Sequence, residues 1–233
     1  DYITSKFGRF VTNKMIRNII GQSDSAFNFR KVMDEQKILL INLSKGKIGE
    51  ENASFLGLIL VPKILVAAMS RQDIIDKDQR KDFFLYVDEF QNFATPDFAQ
   101  ILSEARKYRL NLIVANQFIG QMEEEIKNAI FGNVGTIASF RIGVTDANYL
   151  QHEFQPIFSE QDLINVDKYN CYMRTIVNGE PVRPFSLDTT KDVEKEKALE
   201  NPRVAELVRE LSRLKYGRAV DVIETEIATR ARL

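Results

Sequence analysis

Two adjacent carboxylates, Asp88 and Glu89, end the apolar run Phe83-Phe-Leu-Tyr-Val87. At the end of a buried strand one carboxylate can hold Mg2+ while its neighbour orients and deprotonates a water, the two requirements of phosphate-ester hydrolysis. The same pattern also ends strands whose acidic residues only cap the next helix or pair with a surface lysine. The next apolar run ends in Ala115-Asn116-Gln117, and a neutral amide at Gln117 can contact a terminal phosphate or its water without adding charge. Between them lies a basic cluster, Arg106-Lys107-Tyr108-Arg109. Cations are favoured at a helix carboxyl terminus by the dipole alone, and an arginine there can also reach the nucleotide of a neighbouring subunit.

A phosphate-cradling loop needs Gly-x-x-x-x-Gly-Lys followed by Ser or Thr. The string Ser44-Lys45-Gly46-Lys47-Ile48-Gly49 offers Gly-Lys, but Ile41 stands where the first glycine belongs and Ile48 where the hydroxyl belongs. It reads as a strand-to-helix loop in which Lys45 or Lys47 can touch a nucleic-acid backbone. His152 has no partner suggesting a metal site or triad, and Cys171 reads as a small buried apolar residue.

The elements that must position these groups follow from periodicity. Runs at 37–43, 83–89, 111–117 and 135–141 are apolar through their centres and end on polar residues, the pattern of strands covered on both faces. Helical patterns alternate with them, so the expectation is an α/β fold with a mainly parallel sheet and crossover helices, its ligands outside the carboxyl ends of the strands. Expected helices cover 52–70, kinked or interrupted near Pro62, and 96–109, opened by Thr95 as N-cap with Pro96 in the first turn. Weaker ones cover 121–130 and 145–154. Tyr169–Val177, Asn178-Gly179 and Pro181–Leu187 read as a β-hairpin. Beyond 190 the chain turns charged and aliphatic, with Val204, Leu207, Leu211 and Leu214 on one helical face. The division expected is a sheet-bearing domain over 1–189 and a helical tail over 190–233, which either covers its own core or meets a partner.

Composition narrows the classes. With 233 residues, 44% hydrophobic, 28% charged and only 11 Gly and 6 Pro, the chain is neither disordered nor collagen-like. A net charge of −1 leaves any nucleic-acid surface local, and a single cysteine excludes an intramolecular disulfide. The most apolar stretch, 55–69, counts 15 residues broken by Pro62 and Lys63, too short at ~1.5 Å per residue for a ~30 Å bilayer core. The first residue is Asp, and no signal-type amino terminus is present.

Taken together, Tyr86-Val-Asp-Glu-Phe-Gln-Asn-Phe93, the following Ala105-Arg-Lys107 and the run ending in Asn116-Gln117 resemble the carboxyl-terminal half of the motor domain of TraG/TraD-type coupling proteins. These are DNA-pumping ATPases of conjugation and type IV secretion in the HerA/FtsK group. Phe27-Asn-Phe-Arg30, Leu39–Gly46, Ser139–Gly143 and Asp146-Ala147 extend the resemblance over roughly 25–190. It implies a RecA-like fold with Asp88 as the Walker B magnesium residue, Glu89 as the catalytic glutamate, Gln117 as the γ-phosphate sensor and Arg106 as a trans-acting arginine. Arg141 would be an additional phosphate contact or a strand-end surface arginine. ATP and Mg2+ as cofactors, DNA as translocated substrate, a homo-hexamer, type IV secretion or relaxosome partners, and a place at the cytoplasmic face of a bacterial inner membrane are implied in the same way. Because the family's P-loop precedes this region, the resemblance implies a piece of a larger motor that is inactive alone. Two other classes fit the residues: a degenerate, non-catalytic module binding partners through its tail or sheet edge, and a magnesium-dependent nuclease or phosphotransferase built on Asp88 and Glu89. The latter is disfavoured because the nearby strand ends supply amides rather than further acidic ligands.

Overall fold

A computed structural model of the chain describes residues 8, 12–95 and 104–231. By contacts the chain divides into two units, residues 1–70 with 199–233, and residues 71–198. In the first unit, α1 (Lys14–Ile20) and α2 (Phe29–Asp34) each begin at an asparagine, Asn13 and Asn28, whose side chain accepts an amide of the first turn. The expected strand over 37–43 does not form. Those residues have no regular structure and join no sheet, with Ile38 and Leu40 88% and 81% exposed. β-branched residues suit a strand only when a ladder and a packed face receive them, and neither is found here among the described residues. The side chain of Asn42 instead accepts the Ser44 amide at 2.9 Å, turning the chain into α3 (Lys45–Ile48).

Helix α4 (Glu50–Met69) runs uninterrupted through Pro62. Its buried residues, Ala53, Leu56, Gly57, Val61, Ile64, Leu65 and Ala68, recur at three- and four-residue spacing and so form one stripe. The opposite side is also apolar, with Leu58 and Val66 exposed, so no stripe was visible in the sequence. The continuous helix corrects the 15-residue estimate: the helical stretch Glu50–Asp73 is long and apolar enough to cross a membrane by length and composition. A partly buried core helix meets the same test, and its burial stripe is of that kind.

The second unit opens with β1 (Phe83–Val87) and β2 (Leu110–Val114), paired in parallel from Phe83↔Leu110 to Val87↔Val114. The helix expected over 96–109 falls mainly outside the described residues; its end is seen at Glu104 and Ala105, followed by a tight turn at Arg106–Tyr108. Then come α5 (Glu124–Asn133), β3 (Ile137–Ser139), α6 (Val144–Phe154) and α7 (Glu160–Ile164). β4 (Asn170–Val177) and β5 (Glu180–Asp188) form the expected hairpin; Asn178 and Gly179 both have positive φ, which its two-residue turn requires. Pro181 and Pro184 lie on β5, the edge strand of the β3-β4-β5 order. The fold is thus mixed α/β. β1 and β2 are parallel, whereas the run at 135–141 contributes β3 to a separate antiparallel sheet.

The tail contains α8 (Val193–Leu199), α9 (Pro202–Tyr216) and α10 (Val220–Ala231). α10 packs on α1. Ile223 is buried, Glu224 pairs with Lys14 at 2.9 Å and accepts from Asn18 at 3.1 Å, and Arg230 donates to the Gly21 carbonyl. α9 behaves differently, with no buried residue along its length.

Candidate active site at the carboxyl ends of β1 and β2

The parallel register carries both strand ends to one edge. The Ala115 amide donates to the Val87 carbonyl at 2.9 Å, and the Phe90 amide to the Ala115 carbonyl at 2.9 Å, so the ladder continues past both strands. Buried Phe90 anchors the turn after the carboxylates. Glu89 sits in the left-handed region at φ 50°, a conformation that costs a non-glycine residue free energy and holds its side chain where the chain leaves the sheet.

Glu89 and Gln117, from different strands, meet directly. The Gln117 amide nitrogen donates to Oε1 of Glu89, and the Gln91 amide donates to Oε2 at 2.6 Å. Two neutral donors therefore fix the carboxylate, and among the described residues no salt bridge neutralises it. Asp88 is exposed, and its Oδ1 accepts the Glu89 amide at 2.9 Å. An exposed monodentate carboxylate suits Mg2+, which keeps several waters and takes one or two protein carboxylates beside substrate phosphates. Among the described residues no group of three or more His, Cys, Asp or Glu side chains gathers for an all-protein metal cage.

Behind Gln117 opens a cleft of about 510 Å3, lined by Asn116, Gln117, Phe118, Ile137, Phe140 and Arg141 among others. Arg141, exposed just after β3, therefore shares a cleft with Gln117. Arg106 does not join them. It precedes β2 whereas Gln117 follows it, so the length of a five-residue strand, roughly 15 Å, separates their ends of the sheet. Arg106 is exposed there and within one chain is turned to the opposite end. Lys45 and Lys47 belong to the other unit, and Lys45 is paired with Glu50 at 2.6 Å. His152 sits in the last turn of α6, and burial pushes the Cys171 thiol up from its ordinary value, as befits an unreactive core residue.

Three supporting roles were not read from the sequence, although Asp146 lies in a motif of the resemblance. Asp146, buried in the first turn of α6, accepts the amides of Ile119 and Gly120 at 3.1 and 3.2 Å and so fixes the segment leaving Gln117. Arg71 donates to the carbonyls of Tyr108 and Lys81, at 2.9 and 2.5 Å, the entries to β2 and β1. Arg80 donates to the Lys107 carbonyl at 2.6 Å and to that of Ile74. Both guanidiniums are buried, and carbonyls at a helix end need such donors. An aspartate in a helix first turn and lone arginines between elements look like capping and surface residues, so only long-range contacts reveal them.

This is a mixed α/β protein whose acidic and amide groups converge at the carboxyl ends of two parallel strands. Residues 82–153, which hold that constellation, match the family model described as the TraM recognition site of TraD and TraG. Over those residues the chain is similar to the family its motifs resemble, the TraG/TraD-type conjugative coupling proteins. The plasmid coupling protein TrwB, solved in complex with the non-hydrolysable GTP analogue GDPNP, shares this fold with a TM-score of 0.56 at 12% identity. The match covers 79% of this chain and 48% of that one, so the chain spans about half the length of that coupling protein. The genome packaging NTPase B204 of Sulfolobus turreted icosahedral virus 2, in complex with AMPPCP, aligns at TM-score 0.45 and 11% identity over 72% of this chain and 74% of its own. No curated protein matches by sequence.

Proposed function

We propose that this chain carries the hydrolytic half of a magnesium-nucleotide site in a conjugative coupling protein, and that ATP hydrolysis there drives DNA translocation. The observation that carries the reading is the Glu89–Gln117 contact between adjacent strand ends, with Asp88 beside it. In this reading Asp88 holds Mg2+ through water, Glu89 activates the attacking water, and Gln117 reports the γ-phosphate to the turn that Asp146 clamps. Arg141 lends a second phosphate contact from across the cleft. Arg106, at the far end of the sheet, serves a neighbouring subunit's nucleotide, which requires an oligomer, and a homo-hexamer suits a ring around DNA. The fold shared with a coupling protein solved with a GTP analogue supports nucleotide as the ligand. No Gly-x-x-x-x-Gly-Lys-Ser/Thr string lies in these 233 residues, so the phosphate cradle must come from elsewhere in the working protein. Such a protein would act at the cytoplasmic face of a bacterial inner membrane. The test is magnesium dependence: in the protein carrying its cradle, Asp88→Ala should abolish the gain in nucleotide affinity on adding Mg2+. Equal gains in variant and parent would overturn the assignment of Asp88.

A second reading is interaction. The family matched by residues 82–153 is described by its recognition of TraM, and the exposed acidic start of α5, Glu123-Glu124-Glu125, lies within that stretch. A relaxosome protein with a basic face would bind there. Titration calorimetry with a TraM-type partner should lose its signal on reversing these three charges, and an unchanged isotherm would exclude the site.

A further inference from the structure

Helix α9 is built to stand alone and then left uncovered. Asn201 caps its start by accepting the Val204 amide at 3.1 Å, Pro202 occupies the first turn, and the Gly217 amide closes its end on the Arg213 carbonyl at 2.8 Å. At that end Tyr216 meets Phe27 edge-to-face at 5.7 Å. Val204, Leu207, Val208, Leu211 and Leu214 nevertheless remain between half and three-quarters exposed, although they form one continuous stripe. Isolated helices of this length are marginal in water, so a stripe of this kind is stabilised by something that covers it.

The stripe has the order of a two-stranded coiled coil. Val204 and Leu211 occupy a positions and Leu207 and Leu214 d positions; the first of these heptads has the Val at a and Leu at d that favour parallel pairs. Glu210 then falls at g and Lys215 at the following e, the two positions that face each other across a parallel dimer. An antiparallel pair that stacks Val204 on Leu214 would instead set Glu210 against its own copy. The charge pattern thus selects a parallel second copy of this helix, and the Val204–Leu207 heptad agrees with it.

We infer that the α9 stripe is a self-association surface, covered by α9 of a second copy of this chain in a parallel two-fold pair flanked by two Glu210–Lys215 ion pairs. The two-fold arrangement makes the interface self-complementary. It is independent of the nucleotide reading, since it lies in the other unit. With only about two heptads the pairing is weak on its own and acts where a larger assembly already holds the copies close.

Sedimentation equilibrium of the whole chain should show a monomer–dimer equilibrium within about 0.5 mM, a range in which weak pairs are still populated. Leu207→Asp with Leu214→Asp, both at exposed positions, should weaken it at least about 100-fold while circular dichroism shows the helices retained. Glu210→Lys and Lys215→Glu should each weaken it about 2- to 10-fold, and the two together should restore it. Leu214→Cys should oxidise to a crosslinked dimer, as only the parallel arrangement brings the two d positions together. A monomer at every concentration, a dimer indifferent to the aspartates, failure of the double charge swap to restore it, or a monomer that uses this face to bind anionic vesicles would each overturn the inference.

Discussion

Residues 37–43 and 83–89 are nearly the same kind of sequence, a short β-branched and aliphatic or aromatic run ending in polar residues, and they reach opposite outcomes. The second becomes β1, whose backbone is paired with β2 and whose following Glu89 carboxylate is held by Gln91 and Gln117. The first stays unpaired, with Ile38, Leu40 and Ile41 exposed and Asn42 committed to a local turn. The difference lies in the partner and not in propensity. A functional strand end requires a neighbour in register, because one strand supplies the acid and the other the amide.

The largest expected effect that sharpens this contrast is on stability. Leu110→Ala, at a fully buried position of β2, should cost about 2–5 kcal/mol in urea unfolding. Leu40→Ala in the unpaired run should stay within about 0.5 kcal/mol, and an equal cost would break the comparison. Next, Asp146→Ala should cost about 1–3 kcal/mol by orphaning the Ile119 and Gly120 amides. Hydrogen exchange of those two amides should accelerate while the Ala115 amide, bonded to Val87, stays protected. Amides at 38–41 should exchange fastest of all, and protection there would reveal pairing. The smallest stability change belongs to Gln117→Ala. Its side chain is exposed, so unfolding should move by about 0.5 kcal/mol or less, leaving any loss of activity to be read as chemistry.

How far the sequence could be read followed the same physics. The convergence of Asp88, Glu89 and Gln117 was legible because two runs with polar ends, joined by a helical segment, imply parallel strands ending on one edge. The hairpin was legible because Asn178-Gly179 suits a turn with positive φ at both positions. Pro62 misled, since α4 passes through it with the proline on an exposed side. The grouping of α10 with α1 rests on Lys14, Asn18 and Glu224, more than two hundred residues apart, which no local pattern signals. The contacts of Arg71, Arg80 and Asp146 were invisible for a related reason: their partners are backbone groups, which carry no residue identity. Arg106 was readable as basic, yet only the register showed that it lies at the other end of β2 from Gln117.

Glu89 is where these lines meet. Single-turnover hydrolysis by the protein carrying its phosphate cradle, with nucleotide affinity measured on the same preparation, tests it most directly. Glu89→Gln keeps the shape of the side chain and removes its basicity, so hydrolysis should fall at least about 100-fold while affinity stays within about threefold. Turnover within a few-fold of the parent, at unchanged affinity, would contradict the role assigned to this carboxylate.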